Sequence, residues 1–276
     1  MTSRRAEANL EDGTSAQRVR ARKSLGQNFL VDGVVARQIL DALPENPNAL
    51  VEIGAGTGTM TKGLARAYGH VAAVELDSRL IDMLRHEVRA LVNVRVVAGD
   101  ALKVDIASLL PAPYAVFGNI PYYITGALIP RLLALAPGPE WIAVVVQLEV
   151  AQRLSAEPGG WSLATLAVRA FASAELMLRV PARAFDPVPK VDSALLMLRP
   201  GPAATFADES FFDFARAVFQ ERRKKLPNAV ANASGHDVDR GREVVRRAGI
   251  DEMRRPQTLD LEEWGSLYKS FQEAGA

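Results

Sequence analysis

Between about residue 33 and residue 200, short runs rich in Val, Ile and Ala alternate with stretches whose apolar residues recur three and four positions apart. The runs are Ala49 to Ile53, Val71 to Glu75, Val94 to Ala98, Tyr114 to Phe117 and Trp141 to Gln147. Between them, Met60 to Tyr68 and Arg79 to Leu91 have helical spacing and suit the crossover helices of βαβ units. Parallel strands joined in this way need a helix laid across a face of the sheet at each crossing, so the pattern predicts a doubly wound α/β domain. Ala174 to Val180 and Ala194 to Leu198 follow a helical Leu163 to Ala170 segment and are expected to add an antiparallel edge pair. Pro200-Gly201-Pro202 then punctuates the chain, and beyond it only helical patterns remain, with Phe211, Phe214, Ala215 and Val218 on one apolar face. The expected organisation is therefore an α/β domain over 24–200 and a small all-α domain over 203–276, with no internal repeat.

Cysteine is absent, which excludes a disulfide framework, a thiolate nucleophile and a cysteine-ligated zinc or iron–sulfur centre. His70, His86 and His236 lie far apart, and no metal site is expected. Lys and Arg total 33 against 32 Asp and Glu, so any affinity for a polyanion must come from local clusters rather than from the net charge of +1. Residues 1–23 mix Arg4, Arg5, Arg18, Arg20, Arg22 and Lys23 with Glu7, Glu11 and Asp12, as in a flexible basic arm. No run approaches the roughly 18 apolar residues of a membrane span. A cytoplasmic location without membrane contact is expected, and nothing in the sequence demands more than a monomer.

The segment Val51-Glu52-Ile53-Gly54-Ala55-Gly56-Thr57-Gly58 puts a glycine-rich turn directly after the first apolar run, where backbone can approach a ligand closely. Glu75 closes the next run, 21 residues after Gly54, and suits a carboxylate accepting both ribose hydroxyls of a nucleoside. A nicotinamide dinucleotide would want glycines at G-x-G-x-x-G, whereas position 59 is Thr and the glycines fall at G-x-G-x-G. Glu52 beside the turn would repel a pyrophosphate and suit the positive end of an amino acid and sulfonium, which favours S-adenosylmethionine. Asp100, after the third run, is placed to accept from an adenine amino group. Each glycine or acid taken singly is equally well read as turn chemistry or a solvated strand end; the ordered set is what points to a cofactor.

Gly118-Asn119-Ile120-Pro121-Tyr122 follows the fourth run and is similar to the Asn/Asp-Pro-Pro-Tyr loop of amino-methyltransferases. An aromatic amine is a poor nucleophile because its lone pair is delocalised, and acceptors that draw the amine toward tetrahedral geometry restore it. Asn119 offers a side-chain carbonyl and Ile120 a backbone carbonyl held by the fixed φ of Pro121, while Tyr122 can stack on an extruded base. A proline turn with a buried tyrosine is the plainer alternative.

From about Lys23 to the C-terminus the chain resembles the ribosomal RNA adenine dimethyltransferases, and within them the small-subunit type. The resemblance rests on four stretches: Leu25-Gly26-Gln27-Asn28-Phe29-Leu30, the glycine turn, Asn119-Ile120-Pro121-Tyr122, and Phe185-Asp186-Pro187-Val188-Pro189-Lys190-Val191-Asp192-Ser193. It implies a class I, Rossmann-like methyltransferase sheet followed by a helical domain. It further implies that Asn28, Leu30, Gly54, Glu75, Asp100 and Asn119 hold S-adenosylmethionine and that Phe185 stacks on the target base opposite Tyr122. A basic run, Arg222-Arg223-Lys224-Lys225, on a predicted helix is expected to meet RNA phosphates of a small-subunit assembly intermediate. Arg240 to Arg255 is mixed in charge and reads equally as a solvated helix face. Tyr123 departs from the family, whose small-subunit members often carry Asn there. The expected activity is dimethylation of the exocyclic amines of two adjacent adenines in 16S RNA, with a role in small-subunit biogenesis. A large-subunit (23S) resistance methyltransferase and a non-catalytic ribosome assembly factor remain the alternatives.

Overall fold

The computed structural model describes residues 20–275. Its strands are β1 (Phe29–Leu30), β2 (Ala49–Ile53), β3 (His70–Glu75), β4 (Val94–Ala98), β5 (Ala115–Asn119), β6 (Ile142–Gln147), β7 (Ala172–Val180), β8 (Phe185–Asp186) and β9 (Ser193–Pro200). The helices are α1 (Gly33–Ala42), α2 (Thr59–Ala67), α3 (Ser78–Glu87), α4 (Thr125–Leu133), α5 (Leu148–Leu154), α6 (Leu163–Arg169), α7 (Glu209–Gln220), α8 (Leu226–Ser234), α9 (Val238–Arg247) and α10 (Leu261–Glu273). Seven strands form the central sheet in the order β4-β3-β2-β5-β6-β9-β7. The first five run parallel, and β9 is antiparallel to both β6 and β7. The expected antiparallel pair is thus present, with β9 inserted against the parallel strands and β7 forming the edge.

Each inner strand is buried on both faces, and alternate residues serve different layers. On β5 and β6, Val116, Val144 and Val146 pack with α4, α5 and α6 through Leu128, Leu132, Ala151 and Val168. Ala115, Phe117, Ala143 and Val145 point the other way, toward Val35 and Ile39 of α1 and Met60 and Leu64 of α2. This is why the strands read as near-continuous apolar runs instead of alternating ones. The α3 helix, predicted to reach Leu91, ends at Glu87. Beyond it the chain turns so that the Asn93 amide can donate to the carbonyls of Ala65 and Tyr68, at 2.7 and 2.9 Å, satisfying the end of α2.

The helices after β9 surround Trp264, which is fully buried among Phe211, Phe214 and Phe219. Phe219 stacks on its indole at 5.1 Å, and Phe211 and Phe214 meet it edge-on at 6.4 Å each. This aromatic core reaches back across Pro200-Gly201-Pro202 to Trp161 and to Leu166 of α6, and Gly159 N donates to the Gln257 carbonyl at 2.7 Å. The helical layer is therefore docked on the α/β layer by shared core residues. The arm expected over 1–23 lies outside the described residues up to position 19. Its last part is tied down: Arg22 N donates to Gln27 Oε1 at 2.8 Å, and the Arg22 guanidinium lies 3.6 Å from Asp77.

Truncating the centre of the aromatic core should be costly. Phe211→Ala is expected to destabilise the protein by about 3–5 kcal/mol, read as a lower urea midpoint at unchanged slope. A loss below about 1 kcal/mol would mean that the helical layer does not depend on this packing.

Candidate active site

The carboxyl ends of β2, β3, β4 and β5 face one cavity, lined by Gln27, Asn28, Gly54, Glu75, Asp100 and Asn119 among others. Gly54 has φ +73°, and a Cβ there would sit 3.0 Å from the Asn119 backbone oxygen. The turn after β2 and the loop after β5 touch, and only glycine permits both the left-handed backbone and the approach. Glu75 is buried at the end of β3. Its Oε2 accepts from Gly56 N at 2.8 Å, and its Oε1 accepts from Leu76 N at 2.9 Å and Asp77 N at 2.8 Å. A carboxylate has about four acceptor positions, so three are filled and Oε2 keeps one. Glu75 thus keeps acceptor capacity on Oε2 toward the cavity.

Asp100 turns Oδ1 toward Leu102 N at 2.9 Å, and its Oδ2 has no protein partner among the described residues. Over the cavity runs the 26–28 segment. Gln27 Nε2 donates to Asp77 Oδ2 at 3.0 Å, and the Asn28 carbonyl accepts from Asn119 Nδ2 at 3.4 Å. Asp77 is a residue that the motif reading passes over. It is buried at the N-cap of α3, where Arg79 grips it at 2.5 and 3.0 Å. Hydrogen bonding to Arg79 holds its carboxyl well below the usual range despite burial, with Gln27 adding to the effect. The signal was local: an acid two residues after Glu75, followed by Ser78, is a helix N-cap pattern.

In the catalytic loop, Pro121 lies at φ −56° and ψ 135°. The Tyr122 hydroxyl is 2.7 Å from the hydroxyl of fully buried Ser193, and burial pushes the phenol pKa up. Its ring is thereby pinned at the cavity wall. Phe185 is buried at 2% exposure within the core packed against α1, yet it also borders the cavity. The pairing of β1 with β8 brings it there, with Leu30 opposite Phe185 and Phe29 opposite Asp186. Two-residue strands carry no periodicity, so this link is invisible to pattern reading.

Three expectations need correction. Leu30 is a core residue at 4% exposure, and its side chain does not line the cavity. Glu52 does not line it either: the strand pleat turns it away, and it is buried with Oε2 unpartnered among the described residues. Desolvation raises its pKa to about 7, opposed by the neighbouring Thr61 hydroxyl and reinforced by the charge of Glu75. It therefore does not act on a sulfonium. Arg222, Arg223, Lys224 and Lys225 lie exposed in the turn between α7 and α8, not on a helix. The ring of Pro227 would clash with the carbonyl four residues back, at Arg223, so α7 cannot run through.

The cavity fits a nucleoside bearing an amino-acid arm. It offers a close-approach glycine, an acceptor at Glu75, a free acceptor at Asp100 and apolar walls from Ile53, Leu76 and Leu102. Among the described residues no cluster of His, Asp and Glu could hold a metal ion. Sheet order and cavity together define a class I methyltransferase, and the cofactor is S-adenosylmethionine. The description "Ribosomal RNA adenine dimethylase" matches residues 18–273. A "Ribosomal RNA small subunit methyltransferase A" of Pelotomaculum thermopropionicum is 42% identical over 273 residues, covering 92% of each chain. A dimethyladenosine transferase structure from Plasmodium falciparum superposes with TM-score 0.75 at 24% identity, covering 90% of this chain and 98% of its own. The 23S rRNA methyltransferase ErmE superposes with TM-score 0.70 at 28% identity, covering 89% and 100%. The chain belongs to the ribosomal RNA adenine dimethylase family and is an rRNA methyltransferase.

Two measurements check the site. Glu75→Ala should weaken S-adenosylmethionine binding by about 1–3 kcal/mol in calorimetry, and unchanged affinity would remove the ribose assignment. Asp77 is ionised in the fold well below its unfolded pKa, so its stabilising contribution is full above roughly pH 4 and fades as the medium is acidified further. Asp77→Asn should therefore be less stable than the parent at pH 7, with the gap narrowing toward pH 2. A constant gap in urea midpoints across that range would refute the ionic clamp.

Proposed function

We propose that the protein dimethylates the exocyclic amines of two adjacent adenines in small-subunit (16S) rRNA, acting on an assembly intermediate of the 30S particle. The bond from Asn119 Nδ2 to the Asn28 carbonyl carries the reading. It commits the amide nitrogen to the protein and leaves Oδ1 as the acceptor an incoming aromatic amine needs. S-adenosylmethionine supplies an electrophilic methyl group. Asn119 Oδ1 and the Ile120 carbonyl would hold the amine hydrogens, localising the nitrogen lone pair. The nitrogen so held would accept the methyl group that the bound cofactor supplies, and the displaced amine proton would pass to water. A second round converts the monomethylated amine to the dimethylated one.

Tyr122, fixed by Ser193, would stack on the target base, with Phe185 closing the opposite side. Asn28, Gly54, Glu75 and Asp100 would hold the cofactor, with Leu30 positioning Asn28 from the core. Arg222, Arg223 and Lys225 carry exposed charge without a carboxylate partner among the described residues, whereas Lys224 sits 3.2 Å from Glu221. They would meet RNA phosphates. One chain supplies the whole cavity, so a monomer suffices, and a bacterial ribosomal substrate puts the activity in the cytoplasm. The small-subunit target is favoured over the large because the relative bearing that name is 42% identical, against 28% for ErmE.

Labelled S-adenosylmethionine should transfer its methyl to unmethylated small-subunit particles and give dimethyladenosine, with none formed on large-subunit RNA. The reverse outcome would establish the large-subunit activity, and no product with either would leave an assembly factor. Asn119→Ala should abolish transfer while cofactor binding remains measurable; parallel loss of both would end its catalytic assignment. Replacing Arg222, Arg223 and Lys225 with Ala should flatten the plot of log RNA affinity against log salt, its slope falling by roughly 0.7–0.9 for every phosphate no longer neutralised. An unchanged slope would return the turn to solvent.

A further inference from the structure

Tyr122 borders two cavities. One is the cofactor cavity, and the other is a groove of about 800 Å³ between the α/β layer and α7. Its walls include Gly126 and Ile129 of α4, Ala164 and Ala167 of α6, Phe171, and Phe212 of α7, so it is largely apolar with aromatic side chains besides Tyr122. No other residue lines both spaces among the described residues. A Cβ on Gly126, one helical turn beyond Tyr122, would meet no atom within 4 Å. The groove is therefore open beside the phenol ring.

We propose that this groove receives the base of the nucleotide next to the adenine being methylated, so that Tyr122 is sandwiched between two purines. The inference rests on the proposed action on adjacent adenines. Extruding one base strands its neighbour, whose unstacked purine face must be covered by solvent or by protein. A ring that borders both cavities can offer each base a stacking partner, and stacking on an aromatic side chain needs no base-specific hydrogen bond. The charges divide by wall. On α5, Arg153 is exposed with no side-chain partner among the described residues. On α7, Asp213 is neutralised by Arg216 at 2.5 Å and Glu209 stands at the helix start. A phosphate is accommodated on the α5 side. After the first adenine is finished, a one-nucleotide shift carries the base in the groove past Tyr122 into the cofactor cavity, and the following nucleotide takes its place, so no new pocket has to form.

The test uses small-subunit particles reassembled with ligated RNA that carries either the natural neighbouring adenine or an abasic site there. For the unaltered protein, the abasic neighbour should raise KM for the remaining adenine by about tenfold with a small effect on kcat. Gly126→Leu, which fills the groove without a backbone clash, should raise KM on natural RNA by a similar factor and be indifferent to the abasic change. If Gly126→Leu does not fold, Ala164→Leu, exposed on the facing wall, gives the same readout. Equal KM on both RNAs for the unaltered protein, or an undiminished abasic effect in the filled variant, overturns the proposal. Failure of the unaltered protein to methylate the natural particle would instead overturn the functional reading beneath it.

Discussion

The site depends on how one buried carboxylate is satisfied. Glu75 ends β3 out of water, a position in which an unpaired charge would be strongly destabilising. Three backbone amides resolve the problem, and they come from two places: Gly56 in the turn after β2, and Leu76 and Asp77 at the entry to α3. Those bonds fix the glycine turn relative to the next strand and start α3 in one direction. They also leave Asp77 where it can cap that helix and hold Gln27, so the segment over the cofactor is secured by the same corner. Removing the carboxylate would leave three buried donors as well as taking an acceptor from the ligand.

Topology explains why the catalytic loop stands opposite this corner. The strand order turns outward in both directions from β2 and β5, which makes their boundary the switch point where loops diverge and leave a crevice. The glycine turn leaves β2 and the Asn119 loop leaves β5, and their backbones touch at Gly54. Cofactor and acceptor groups are thus held by neighbouring strands of one rigid sheet. The target base is met by residues from farther along the chain: Ser193, which pins Tyr122, begins β9, and Phe185 forms part of β8.

The strands were legible because burial on both faces writes them as unbroken apolar runs, and the glycine turn because its spacing is tied to backbone sterics. Helix ends were less so: the stop of α3 depends on Asn93 reaching α2, a contact 25 and 28 residues away in sequence. The β1–β8 pair joins residues about 150 positions apart through two residues on each side, which no local pattern encodes. Glu52 stands beside the glycines in sequence but not beside the ligand, because strand pleating sends alternate residues to opposite faces. The basic run has helix-compatible charges, yet Pro227 two residues beyond decides the break.

Glu52 and Glu75 show how two acids on adjacent strands are kept from opposing one another. Glu75 is satisfied by three backbone amides, while at Glu52 desolvation and the neighbouring charge of Glu75 outweigh the opposing Thr61 hydroxyl, so its pKa rises to about 7. The surroundings of Glu52 favour the protonated form, which lowers the repulsion that two full charges would impose. The linkage then has the opposite sign to that of Asp77. With a folded pKa above its unfolded value, Glu52 is compatible with the fold at low pH and opposes it increasingly as pH rises from the ordinary carboxylate range through 7. Asp77 supports the fold at higher pH and fails in acid. The stability of this corner of the sheet is bounded on both sides by two carboxylates whose surroundings push them apart.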